Sequence, residues 1–225
     1  MVVRNAAALA NAPRALTREI TPLNPAQART LLHHCATHRL GPLFTIALSL
    51  GLRLGEALGL RWSDVDFDKG LLQVRRTLQR IKGGVAFSEP KTARSYRTLV
   101  LPDVAISTLT AHRVRQLEQR LAAGQRWGGH DLVFTNGDGN PLDRANVRKQ
   151  FHRLLQTAGL PQIRIHDLRH TAATLLMLQG VNPRTVMELL GHSDVTMTLN
   201  TYSHVLASLK QDAARRMDDV LAPGS

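Results

Sequence analysis

Between positions 166 and 202 the chain reads His-Asp-Leu-Arg-His, then Leu-Leu-Gly-His at 189–192, then reaches a tyrosine at 202. Few ordinary cores collect three imidazoles, a guanidinium and a phenol in so short a span, because each such group needs a polar partner once it is buried. As a set they suit attack on a phosphodiester: cations to hold a phosphate, and a hydroxyl able to form a covalent bond to it.

Spacing supports a common face for part of this set. His166, Arg169 and His170 stand at i, i+3 and i+4, so on a helix they leave from one side. Asn182-Pro183 predicts the start of the next helix and Gly191 its end, which puts His192 at a helix C-terminus, where a protonated imidazole is favoured. Tyr202 falls near the end of a short helix capped by Ser193 or Asp194. A phenol has a pKa of about 10, so as a nucleophile it needs nearby cations.

Each residue also has a plainer reading. Histidines four apart are more often surface or zinc-binding groups than phosphate ligands. A metalloprotease would need Glu after the first histidine; Asp167 stands there with Arg169 close by, which argues against a metal. A lone tyrosine is usually packed in a core with its hydroxyl satisfied. Tyr96 is the only other tyrosine; it falls in a predicted strand and is read as packing.

Composition narrows the partner. Lys and Arg total 29 against 17 Asp and Glu, a formal charge of +12, which usually marks a polyanionic partner. A merely soluble basic protein fits the charge alone. No basic amphipathic stretch carries Trp or Phe anchors for a membrane surface, and no apolar run is long enough to span a bilayer. Cys35 is the single cysteine, which excludes an internal disulfide or a zinc ribbon and fits the reducing cytoplasm. A length of 225 residues, 43% of them hydrophobic, fits one compact domain with short extensions.

Residues 1–24 have linker composition, and Asn24-Pro25 predicts the first helix. Helices are expected over 25–38, 41–50 and 54–61. Strands follow at Leu71–Leu78, Gly84–Phe87 and Tyr96–Leu101, divided by Lys82-Gly83-Gly84 and Pro90, as a small antiparallel meander. Helical patterning returns at 103–122, 143–158, 167–179, 183–190, 195–202 and 205–220. The fold class is therefore α+β, mostly α-helical, with a small three-stranded antiparallel sheet.

Three further stretches sharpen the reading. The run Gly51-Leu52-Arg53-Leu54-Gly55-Glu56-Ala57-Leu58-Gly59-Leu60-Arg61-Trp62 is followed by Pro90-Lys91-Thr92-Ala93-Arg94-Ser95-Tyr96-Arg97, and Leu189–Asp194 runs on to Asn200-Thr201-Tyr202. With His166–His170 these four motifs, in order, resemble the boxes of the tyrosine recombinases, the phage-integrase family. On its own, Arg53 with Glu56 fits an ordinary i, i+3 ion pair, and Lys91 a solvated hairpin lysine.

The resemblance implies a helical catalytic domain over 21–204 that cuts and rejoins double-stranded DNA through a 3′-phosphotyrosine. Tyr202 would be the nucleophile, Arg53 and Arg169 the clamp on the non-bridging oxygens, His166 and His192 the rest of the cradle, and Lys91 the acid for the departing 5′ oxygen. Glu56 and His170 would support the arginines, while Arg94 and Arg97 are candidate DNA contacts. No cofactor, metal or ATP is expected, because the tyrosine ester conserves the energy of the phosphodiester.

Homo-oligomers, a tetramer on DNA, are expected, with a monomer an open alternative in solution. A topoisomerase IB-like strand relaxer or a non-catalytic DNA-binding module remain alternatives. Residues 1–20 stand where the family carries a helical DNA-binding domain, which implies a linker or a remnant and weak, salt-sensitive binding. Residues 205–225 form an amphipathic helix and tail, whose apolar face either folds back on its own core or docks on a neighbouring protomer.

Overall fold

The structure, a computed structural model, describes residues 21–82, 84–88, 96–191, 214–215, 217–219 and 221. Its first helix, α1 (Pro25–Thr37), starts where the sequence predicts. Asn24 Oδ1 accepts from the Gln27 amide at 2.9 Å, and Gln27 Oε1 accepts from the Asn24 amide at 3.0 Å. This reciprocal cap satisfies two amides that a helix start otherwise leaves unpaired.

The next helix, α2 (Gly41–Ser49), is apolar on every side and buried from Gly41 through Leu48, as expected of a helix enclosed by others. It packs against α1, α4 (Asp103–Ala123) and α6 (Asp167–Leu178). Phe44 meets Phe151 of α5 (Arg144–Thr157) with ring centroids 5.0 Å apart, and Leu31, Ile46, Leu109 and Leu168 complete the same fully buried core. A second, smaller cluster of Ala173, Met177, Val186 and Leu190 joins α6 to α7 (Pro183–Leu190). Gln116, buried on α4, takes the Trp62 indole N–H at 2.6 Å and donates to the carbonyls of Leu132 and Val133.

Between α3 (Leu54–Leu58) and α4 the chain forms small antiparallel sheets. Strand β2 (Leu71–Val74) lies between β1 (Val65–Asp66) and β5 (Arg97–Val100), with Leu72 opposite Leu99 and Val74 opposite Arg97. Strands β3 (Thr77–Ile81) and β4 (Gly84–Ser88) form a separate hairpin. The three-stranded sheet is thus not the expected meander, and the expected strand Leu71–Leu78 is two strands. The break falls at Arg75-Arg76, where the Arg76 guanidinium pairs with the buried carboxylate of Asp64. That ion pair lies between segments distant in sequence and leaves no local mark.

The remaining described helices lie within a residue or two of their predicted ends, except that α3 stops at Leu58. The expected helices at 195–202 and over most of 205–220 fall outside the described residues. Among those described, no helix is long and apolar enough to cross a membrane.

Two glycines set the packing around the future site. At Gly55 a Cβ would lie 2.4 Å from Thr77 Oγ1, so α3 rests directly on β3. At Gly51 the backbone has φ +60°, and a Cβ would lie 2.3 Å from Leu190 Cδ2. Gly51→Ala is therefore expected to destabilise the fold by about 1–3 kcal/mol. Urea denaturation checks this, and an unchanged midpoint would contradict the packing described.

Candidate active site

Arg53 stands immediately before α3, with Glu56 at the third helical position. That spacing lets the carboxylate reach back: Glu56 Oε2 accepts from the Arg53 amide at 3.0 Å, and Oε1 accepts from Arg53 Nη1 at 2.9 Å. Glu56 also receives both ends of a second guanidinium. Arg97 of β5 donates from Nη1 at 3.2 Å and from Nη2 at 2.8 Å. Burial alone would raise the Glu56 pKa, but the hydrogen bonds and charge of Arg97, and then of Arg53, outweigh it and bring the carboxyl down to about 2. Glu56 is therefore a permanent anion among cations.

Three guanidiniums converge on one helix end. Arg97 Nε donates to the Leu189 carbonyl at 2.9 Å, Arg169 Nη2 to the Leu190 carbonyl, and Arg53 Nη2 to the Gly191 carbonyl at 3.3 Å. The last turn of a helix leaves its carbonyls unpaired and carries partial negative charge. Here successive carbonyls of the last turn of α7 and its C-cap are filled by arginines from β5, α6 and the start of α3. Arg169 also donates to the Gly51 carbonyl at 2.8 Å.

The arginines differ in access. The Arg53 side chain is 39% exposed, whereas that of Arg97 is 7% exposed and Arg169 as a whole only 1%. Arg97 was expected as a DNA contact; its guanidinium is buried and committed to Glu56 and Leu189, which makes it internal support. Tyr96, expected to pack, is 43% exposed.

His166 and His170 are edge to face, 5.2 Å between ring centroids. Burial, followed by the neighbouring His166, takes His170 down to about 4; burial, followed by Arg169, also lowers His166. The low pKa of His170 leaves its ring neutral at pH 7, and His166 is shifted in the same direction. Asp167, the residue whose place in the His box bears on metal binding, is held by Arg164 from Nη2 at 2.8 Å and from its amide at 2.8 Å. Among the described residues no cluster of three or more His, Cys, Asp or Glu could hold a metal ion.

Arg53 and His166 open onto a cleft of about 800 Å³ between the β3–β4 hairpin, α5 and the start of α6. Arg80, Arg144, Arg148, Arg164 and His152 line the rest of it. None of these five was singled out from the sequence, although 144, 148 and 152 repeat every four residues on α5 and form a basic stripe. Such a surface suits a chain of phosphates. Lys91, Arg94, His192 and Tyr202 lie outside the described residues, so the structure brings together Arg53, Glu56, His166, Arg169 and His170 of the expected site.

The domain is helical with small sheets, and its arginines gather at a helix end beside a basic cleft. A sequence profile of the phage integrase family matches residues 22–208, and this chain is a member of that family. It is 37% identical over 214 residues to a XerC-like tyrosine recombinase of Caldanaerobacter subterraneus subsp. tengcongensis, an alignment covering 90% of this chain and 55% of that protein. An integrase of Saccharopolyspora erythraea is 29% identical over 269 residues, covering 96% and 61% respectively. The chain thus spans little more than half the length of these relatives. Among solved structures, the Tn1549 transposon integrase in complex with transposon right end DNA superposes with a TM-score of 0.74 at 27% identity, covering 98% of this chain and 71% of that one.

The lowered histidines carry a pH consequence. Unfolded, His170 titrates near 6.5; folded, it titrates at about 4, so between these values the unfolded chain binds more protons and stability falls as pH drops. His38, His112 and His166 are lowered too. The depressed carboxyls of Glu56 and Asp167 act only below about pH 4.5, where unfolded carboxyls titrate. The urea midpoint is therefore expected to fall from pH 7 to pH 5, and to fall less in His170→Gln. An equal fall in both proteins would rule out His170 as a contributor.

Proposed function

We propose that this chain carries the strand-transfer chemistry of a site-specific DNA recombinase, with double-stranded DNA as substrate. The observation that carries the reading is the convergence of Arg53 and Arg169, from two separate sequence boxes, on one helix end beside a basic cleft. In this reading the Tyr202 hydroxyl gives up its proton to water and its oxygen bonds to phosphorus as the bond to the 5′ oxygen breaks. Lys91 supplies the proton to that oxygen, and Arg53 and Arg169 hold the non-bridging oxygens with help from His166 and His192. Guanidinium donors aimed at developing charge are worth about two to three powers of ten in rate each. A free 5′ hydroxyl reverses the step on a new strand, so the phosphodiester energy is kept and no nucleotide is consumed.

Residues 21–204 form the catalytic unit in this proposal, with 1–20 a linker and 205–225 a tail that docks on a neighbouring protomer in an oligomer on DNA. Met217 and Leu221, one helical turn apart and 58% and 72% exposed, suit such a docking face. The work is done in the cytoplasm, where the buried free thiol of Cys35 stays reduced. The cleft arginines hold the DNA backbone in this proposal.

A nicked suicide substrate tests the chemistry. Wild type and Tyr96→Phe are expected to trap a covalent 3′ complex, and Tyr202→Phe to trap none. Trapping by Tyr202→Phe would reassign the nucleophile, and DNA binding without any trapping would favour a binding module. The cleft is tested separately: Arg144→Gln with Arg148→Gln should weaken binding across sequences and reduce the slope of log affinity against log salt by about 2. An unaltered slope would place the DNA elsewhere.

A further inference from the structure

Arg97 makes a connection that the strand-transfer proposal does not use. It reaches the site from β5, far in sequence from the boxes of Arg53 and Arg169, and its buried guanidinium joins two things at once. Two of its nitrogens grip both oxygens of Glu56, and Nε donates to the Leu189 carbonyl at 2.9 Å. Glu56 in turn holds the amide and Nη1 of Arg53. Arg53 also bonds both Glu56 and the end of α7, but Arg97 does so from β5 and is the one that grips both carboxylate oxygens with its two terminal nitrogens.

We infer that Arg97 is a positioning residue for strand transfer: it fixes Glu56, and through it the guanidinium of Arg53, relative to the helix end that precedes position 192. This inference rests on the strand-transfer reading above. Arg97 itself touches no DNA in this role. A bidentate guanidinium–carboxylate pair has a defined plane, so Glu56 has little freedom to rotate while Arg97 is present, and Arg53 is aimed rather than merely charged. Misplacing a transition-state group by about 1 Å can cost about 10²-fold in rate. The electrostatics agree with the geometry, since Arg97 makes the largest contribution to keeping the buried Glu56 ionised and Arg53 the next.

Rate and binding separate under this role. Covalent-complex formation on the suicide substrate at saturating DNA, followed from pH 5 to pH 9, should be about 10- to 100-fold slower in Arg97→Gln. DNA half-saturation should change by no more than about twofold. Its acid limb should lie at higher pH than in wild type, because Glu56 keeps its burial but loses its first partner. Arg97→Lys, which also guards against a glutamine variant that does not fold, should restore the acid limb but only part of the rate. An ammonium can neutralise Glu56, yet it cannot span the carboxylate and the Leu189 carbonyl together.

Equal rates and acid limbs in wild type and Arg97→Gln would overturn the inference. A wild type that traps nothing would sink the strand-transfer reading instead. The hold of Arg97 on Glu56 is then measured in the free protein by carbon-13 NMR of the glutamate carboxyls between pH 4 and pH 7. A Glu56 that titrates in Arg97→Gln but in neither wild type nor Arg97→Lys upholds that hold, and one that behaves alike in wild type and Arg97→Gln, or titrates in Arg97→Lys, overturns it.

Discussion

The site depends on one buried anion. Glu56 is 7% exposed and is shared by Arg53 and Arg97. Burying a lone carboxylate is costly, and removing one partner of a buried pair typically costs about 3–5 kcal/mol because the other charge is stranded. With two guanidiniums the carboxylate is compensated, and the cations in turn are held at fixed angles. The arrangement that makes Glu56 tolerable inside the protein is also the one that orients Arg53. Stability and function here draw on the same contacts.

Helix α7 is held by the same groups. Its Leu189, Leu190 and Gly191 carbonyls would otherwise need water or a C-terminal cap. Instead each meets an arginine from a different part of the chain. Sequence order alone would not suggest this, since residues 53, 97 and 169 are separated by the sheets, α4 and α5. The packing of Leu190 on Gly51 adds an apolar reason for the same approach, with the φ of +60° at Gly51 favouring a residue without a Cβ.

Local chemistry was legible in the sequence and long-range pairing was not. Asn24-Pro25 and Asn182-Pro183 announced helix starts because caps act within one turn; in the structure Asn24 accepts from Gln27 and Asn182 from Arg184. The i, i+3 relation of Arg53 and Glu56 likewise reappears as a direct bond. The split of Leu71–Leu78 was hidden because Arg76 finds Asp64 only in three dimensions. Arg97 misled for a similar reason: an arginine in a basic hairpin motif reads as a surface cation until its buried carboxylate is seen. The α5 stripe at 144, 148 and 152 was visible as a period of four. Charge on a helix face is ordinarily solvated, and only the opposing hairpin turns that face into a cleft.

The partners of the three arginines distinguish a clamp from a support. A guanidinium bonded to a carbonyl contributes about 1.5–3 kcal/mol net because the donor is charged, and pairing with a carboxylate adds the attraction of opposite charges and a bidentate geometry. Arg53 Nη2 and two nitrogens of Arg169 donate to carbonyls; under the proposed strand transfer a phosphodiester anion would be a stronger acceptor than these, while Arg53 Nη1 keeps Glu56. Arg97 is bound twice to a carboxylate, and a singly charged phosphodiester gains little by competing for it. Arg53 thus has one terminal nitrogen on a carboxylate and one on a carbonyl, whereas Arg97 places both terminal nitrogens on the carboxylate. Formal charge is the same for all three, and they differ in the acceptors they face: carbonyls for Arg169, a carbonyl and a carboxylate for Arg53, and chiefly the carboxylate for Arg97.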